Sequence, residues 1–296
     1  MKRIISIALL TTLNFFKMDI QAQSFTTTEA NGLKLQVYNA SENSFGVASV
    51  IVSGKTDAVL IDAQFTLADA EKVAQEIKAS GKNLTTIYVS HGDPDFYFGL
   101  EVFKKYFPSV NAYASPATVA HIKATAQKKL AVWGERLGNS ITSSVIIPQV
   151  LEGNSIELEG QKLVVTGLED FPSRTFVWIP SIKAVVGGIN VFGTSFHLWM
   201  ADSASEDARK EWLAVLDKIA ALHPAIVVPA HAKAGTPFSM AAVTHTKNYI
   251  QFYGEAVKSN KTSEALIAAL KAKYPELTFE TALQIGAKVN TGEMKW

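Results

Sequence analysis

From Leu33 onward the chain opens with three short apolar-rich runs, LKLQVYNA, FGVASVIVSG and DAVLIDA, broken by Asn-Gly, Ser-Glu-Asn and Ser-Gly-Lys. Runs of this length punctuated by turn residues predict an antiparallel meander. The period then changes: TLADAEKVAQEIKASG carries apolar residues at helical spacing, with Thr66 as N-cap and Gly81 as the stop. A buried strand, LTTIYVS, follows. Strand and helix go on alternating through a helix near LEVFKKYF, a strand NAYAS, and a long helix PATVAHIKATAQKKLAVWGERLG with Pro116 in its first turn. The second half begins again with strands, SSVIIPQVL, SIELEGQKLVVTGL and TFVWIPSIKAVVGG. After them come a helix SEDARKEWLAVLDKIAALH, a short buried strand AIVVPAH, and a helical remainder from about Phe238 to Leu283. Two halves of the same design, strands first and helices after, predict an α/β (α+β) protein with a sheet-on-sheet core and helices outside. No linker rich in Pro, Gly or Ser separates them, so residues 24–296 are expected to form a single domain.

The first residues change the picture of where the protein works. MKRIISIALLTTLNFFKMDIQAQS has a basic start, an apolar run from Ile4 to Phe16, and the small residue Ala22 near a cut. That is the layout of a secretory signal peptide, and the run is too short for a spanning helix. Residues 1–23 are therefore expected to be removed. The mature protein is expected in the periplasm or outside the cell, with no membrane span. Charge narrows the partners: 28 basic against 27 acidic residues give a net +1. Without a basic run beyond Lys-Lys pairs, nothing points to nucleic acid or an anionic membrane, which leaves a small-molecule substrate. The chain has no cysteine, so disulfides and thiolate ligands are excluded, and any metal must be held by nitrogen or oxygen.

The chemistry concentrates in HGDPDF, residues 91–96. His91 follows a strand directly, at the carboxyl edge where sites of α/β folds gather. His91, Asp93 and Asp95 alternate, and Gly92 and Pro94 let the chain turn tightly enough for all three to converge on a divalent cation. The competing reading is that Asp93 or Asp95 caps a helix starting near Phe96. No G-x-S-x-G elbow, P-loop or G-x-G-x-x-G is present, which removes the simplest serine-hydrolase, NTPase and dinucleotide readings.

With HGDPDF followed by YFGLEVF, DAVLIDA ending at Asp62, AVVGG, and VVPAH ending at His231, the chain resembles the metallo-β-lactamase-fold hydrolases. The resemblance spans most of the chain after residue 23. It implies an αββα four-layer sandwich with the site across the top of two sheets. It also implies a strand ending in His-x-His-x-Asp-His, and here this chain departs. Three of seven ligand positions match in kind, His91, Asp95 and His231. Asp93 stands at the second histidine, Phe96 at the last, and Asp170, with Glu169 beside it, at the third ligand histidine. The bridging aspartate falls at Gly188 or Ile189, with Asn190 the nearest polar residue.

What the resemblance then implies is a mononuclear rather than a two-metal centre: one divalent ion held by His91, Asp93 and Asp170, or by a mixed set with Asp95 and His231. Zinc is the first expectation, with manganese or iron(II) favoured by carboxylate-rich ligation. Asp95 would orient the water or take its proton during hydrolysis of an ester, lactone, amide or phosphoester. Phe96, Tyr97, Trp133, His197 and Trp199 are candidates for substrate contact. Asp202 is read first as a helix-start acid, and His121, His223 and His245 as structural or solvated. The rival function is a binding protein that keeps the crevice without catalysis, to which Phe96 and the missing bridge point. The paired change of histidine to carboxylate tilts the reading toward an enzyme.

Overall fold

The structure is a computed structural model that describes residues 25–296, so the expected signal segment lies outside the described residues. Its strands are β1 (Thr26–Ala30), β2 (Leu33–Asn39), β3 (Ala48–Ser53), β4 (Asp57–Ile61), β5 (Asn83–Val89), β6 (Asn111–Ala114) and β7 (Gln149–Val150), then β8 (Ser155–Leu158), β9 (Gln161–Thr166), β10 (Phe176–Ile179), β11 (Ala184–Val186) and β12 (Ile226–Val227). The helices are α1 (Leu67–Ala79), α2 (Pro94–Tyr97), α3 (Leu100–Tyr106), α4 (Pro116–Leu137), α5 (Glu206–Ala221), α6 (Met240–Ser259), α7 (Ser263–Lys273) and α8 (Glu280–Asn290). One sheet runs β1 to β7 in sequence order and the other β12-β11-β10-β9-β8. In the first sheet β1 to β4 form the antiparallel meander, and β4, β5, β6 and β7 are parallel. The second is antiparallel except where β12 joins β11.

The strand alternation decides which side chains meet. Leu35 and Val37 of β2, Val59 and Ile61 of β4, Val165 of β9, Val177 of β10 and Val186 of β11 share one buried cluster between the sheets. Their neighbours Leu60, Phe176 and Val185 face the other way, into the cluster that holds Val73 and Ile77 of α1 and Trp212, Leu216 and Ile219 of α5. The result is the helix, sheet, sheet, helix layering expected for this sequence. Thr66 and Ser115 cap α1 and α4, accepting from Asp69 N and Thr118 N.

Three expectations need correction. SSVIIPQVL supplies only the two residues of β7. Pro148 has no N–H to give, and Thr142 turns the preceding chain on itself, donating to Ser144 O and accepting from Ser144 N. AIVVPAH forms a strand only at Ile226 and Val227, with His231 in isolated bridges to Val47 and Phe192. The C-terminal helical stretch is three helices reaching Asn290, because Thr262 caps a new start for α7, accepting from Ala265 N.

Candidate functional site

The carboxyl ends of β4, β5 and β11 are tied by one buried acid. Asp62, at φ 65°, follows β4 and accepts from Ser90 N at 2.7 Å and from Ser90 Oγ at 2.6 Å. Ser90 Oγ in turn accepts from Gly188 N at 2.6 Å. Gly188 has φ 74°, and a Cβ there would meet Thr175 O at 2.2 Å, so no side chain can stand at this position without moving the backbone. Burial pushes Asp62 up to about 7, against the hydrogen bonds from Ser90. This latch fixes His91, the residue after Ser90, at the sheet edge.

Beyond it lies a cavity of about 760 Å³. His91, Asp93, Asp95 and His231 line one part of it, and Phe45, Phe65, Trp133, Trp199 and Phe279 give it an aromatic wall. The wall is continuous: Phe45 packs against Phe65, Trp133, Trp199 and Phe279 with ring centroids 5.2 to 5.9 Å apart. α4 lays a helical stripe along the cavity, from His121 and Thr125 through Lys128, Lys129 and Val132 to Arg136. It approaches so closely that a Cβ on Gly92 would meet His121 Cδ2 at 2.6 Å.

The four donors form two pairs. In the first, His91 Nδ1 lies 3.4 Å from Asp93 Oδ2 and accepts from Asp93 N at 3.3 Å. The Lys129 ammonium bonds Asp93 Oδ1, and it also reaches Gly92 O at 3.3 Å and His121 Nε2 at 3.2 Å. Burial draws His91 down to about 4, so its imidazole is neutral at pH 7. Burial also opposes charge on Asp93, but His91 and Lys129 outweigh it, and the carboxylate stays ionised. In the second pair, His231 Nε2 lies 3.7 Å from Asp95 Oδ2. His231 Nδ1 sits 3.0 Å from Phe45 O, a group that can only accept, so Nδ1 carries the proton and Nε2 a lone pair. That Nε2 is buried and has no hydrogen-bond partner among the described residues. Burial lowers His231 to about 4, and burial together with the charge on Asp93 raises Asp95 well above the usual carboxylate range. Phe96 stands between the pairs, edge-on to His91 at 5.3 Å and to His231 at 5.7 Å.

Residues 43–179 match the Metallo-beta-lactamase superfamily. The chain has the metallo-β-lactamase fold. A metallo-beta-lactamase from Pontibacter korlensis is similar at 18% identity and a TM-score of 0.52, over 77% of this chain and 99% of that one. Another from Hirschia baltica is similar at 15% identity and a TM-score of 0.55, over 77% of this chain and 98% of that one. No curated protein matches in sequence.

Proteins of the metallo-β-lactamase fold generally hold divalent metals, and the donors here do not fit one as they are arranged. Among the described residues no three His, Asp or Glu side chains are grouped to hold an ion. The physical reason is local. His91 Nδ1 is taken up by Asp93 N, and Asp93 by an ammonium whose charge repels a second cation. His231 Nε2 presents a lone pair with no partner among the described residues, with the Phe96 ring between it and His91.

The remaining candidates divide. Trp133 and Trp199 line the cavity, and Asp202 lies at its rim, accepting from Trp296 Nε1 at 2.6 Å. Asp170 is not brought there: with Glu169 it sits on an exposed turn after β9, where Asp170 pairs with Lys218 of α5. The correction follows from the turn itself, in which Phe171 N bonds back to Gly167 O, leaving the two acids facing solvent. Tyr97 and His197 are fully buried away from the cavity, His197 Nδ1 being 3.0 Å from the Tyr249 hydroxyl. Asp93 occupies the N-cap position of α2 but makes no side-chain cap bond, so the capping reading of HGDPDF falls. Asn190 braces the loop before β10, donating to Arg174 O at 2.9 Å.

Sequence reasoning missed Lys129, His121 and Arg174. The signal for the first two was the spacing in α4, where His121, Thr125, Lys128, Lys129 and Arg136 recur on one helical face beside Trp133. For Arg174 there was none, since a lone arginine in a loop reads as solvated.

Proposed function

We propose that this chain is a hydrolase of a small ester, lactone, amide or phosphoester, held in the aromatic cavity with its scissile group at the Asp95 and His231 end. The observation that carries the reading is that pair: a buried carboxyl favoured in its protonated form, 3.7 Å from an imidazole nitrogen with a free lone pair. His231 Nε2 takes a proton from the attacking water, and Asp95 gives one to the departing oxygen or nitrogen. Their proximity lets the proton on His231 return to Asp95 and reset the site. Because Nε2 is closed off from solvent in this conformation, turnover includes a movement of the rings over it. The donor set as arranged supports no step through a metal. Export of the mature chain belongs to the same reading and rests on the layout of residues 1–23.

A second reading, a binding protein without catalysis, is favoured by one observation: the Lys129 ammonium on Asp93 beside the Phe96 ring closes the first donor pair. The test joins elemental analysis of the mature protein, after exposure to zinc, manganese and iron(II), with a screen of chromogenic esters, lactones, anilides and phosphoesters. Turnover that survives chelation and falls at least about 100-fold, the lower bound for acid-base catalysis, in Asp95→Asn and His231→Gln is expected. Stoichiometric metal with chelator-sensitive turnover would overturn the metal-free assignment. No turnover in any class from folded protein leaves the binding reading.

A further inference from the structure

Arg174 is the buried cation that the acid-base pair does not use. It lines the cavity yet is only 9% exposed. Its guanidinium lies over the Trp212 ring at 4.2 Å and donates from Nη2 to Ser203 Oγ at 2.7 Å. Nη1 is buried with no hydrogen-bond partner among the described residues. Burial draws the group down to about 10, so it is still a cation at neutral pH. Asp202, Glu211 and Asp93 bear on it at longer range, and no carboxylate pairs with it among the described residues. A buried guanidinium with a vacant donor, fixed by a ring, a hydroxyl and Asn190 on its backbone, is built to meet an anion that is itself desolvated.

Resting on the hydrolase reading and narrowing its substrate, the geometry points to an oxyanion subsite at Arg174: the cavity takes small molecules that carry a carboxylate or phosphate on an aromatic or apolar body. The aromatic wall of Phe45, Trp133 and Trp199 receives the body, and Arg174 receives the oxyanion from the side of the cavity formed by α5 and the loop before β10. The same subsite rejects the neutral analogue, because an amide leaves the guanidinium unpaired. Arg174 is here a specificity-determining residue, distinct from the Asp95 and His231 pair.

The experiment is titration calorimetry of the mature wild-type chain with phenylacetate, phenyl phosphate and phenylacetamide, the last two recovered and checked for cleavage so that binding is read apart from turnover. Phenylacetate or phenyl phosphate is expected to bind at least about 10-fold more tightly than phenylacetamide, the span of one charge-assisted hydrogen bond. Which anion binds better identifies the oxyanion. The preference is expected to vanish in Arg174→Gln and to return in part in Arg174→Lys, while Lys129→Met keeps it. Equal binding of acid and amide by the wild type overturns the subsite without recourse to any variant, as does loss of the preference in Lys129→Met alone. Since binding is read without catalysis, failure of the subsite and failure of the hydrolase reading are separate results.

Discussion

The Asp62 latch and the cavity floor share one sheet edge, and both bury polar groups there. They treat those groups in opposite ways. Both oxygens of Asp62 are paired with Ser90, and Ser90 Oγ is paired again with Gly188. On the cavity floor, His231 Nε2 and Arg174 Nη1 are buried with no hydrogen-bond partner among the described residues. An unsatisfied buried group costs free energy, so paired polar groups hold the edge together, and the two unpaired atoms on cavity-lining residues are those a ligand entering the cavity can satisfy.

The largest effect expected from this contrast is at the latch. Asp62→Ala leaves both Ser90 donors unpaired and puts a β-carbon without a local hydrogen bond at φ 65°. A loss of about 3 kcal/mol in denaturant unfolding is expected. An unchanged midpoint would show that the latch is not what holds the edge.

Next come two pH effects of opposite sign. Asp62 has its pKa raised from 3.8 to about 7, so between these values the folded state binds more protons than the unfolded one. Its contribution is therefore present at low pH and lost as pH rises toward 7. The difference in stability between wild type and Asp62→Asn should shrink across that window and be flat outside it. His231 runs the other way. Lowered from 6.5 to about 4, it is neutral in the fold while the unfolded chain takes up a proton, so stability falls as pH drops from 6.5 to 4. His231→Gln should flatten that acid limb in part in unfolding curves, with His91 and His197, both lowered to about 4 by burial, supplying what remains of it. A limb as steep in the variant as in the parent would mean that His231 is already protonated in the fold.

How much of this could be read from residues alone follows the same division. The layers were legible because Leu60 and Ile61, or Val185 and Val186, alternate between two cores, and alternation is a local property of the chain. His91, Asp93, Asp95 and His231 were legible as neighbours because they follow strand ends. Asp170 was not, because a place in the pattern of the resemblance fixes a position in sequence but not the turn that carries it toward Lys218. Nor was the role of Asp93: its partner Lys129 lies 36 residues away on α4, and only the packing of that helix against Gly92 brings the two together. Long-range pairing of charges has no period to read.

The smallest stability effect separates the two donor pairs from each other. Lys129 and Asp93 have side chains only about a fifth exposed, at 20% and 19%, so Lys129→Met leaves a largely buried carboxylate without its partner, and a loss of about 2 kcal/mol in unfolding, less than at the latch, is expected. With the ammonium gone, only His91, protonated in the range where Asp93 titrates, is left to oppose burial of that carboxylate, and its pKa should rise from the low value that Lys129 helps to maintain. Carboxyl carbon NMR across a pH series reads this directly. A shifted Asp93 without any gain in zinc binding would place Phe96 as the remaining obstacle, because its ring still stands between His91 and His231. Zinc bound stoichiometrically by Lys129→Met and not by the parent would make the lysine itself the occupant of a cation site, its ammonium held where the fold otherwise keeps a metal.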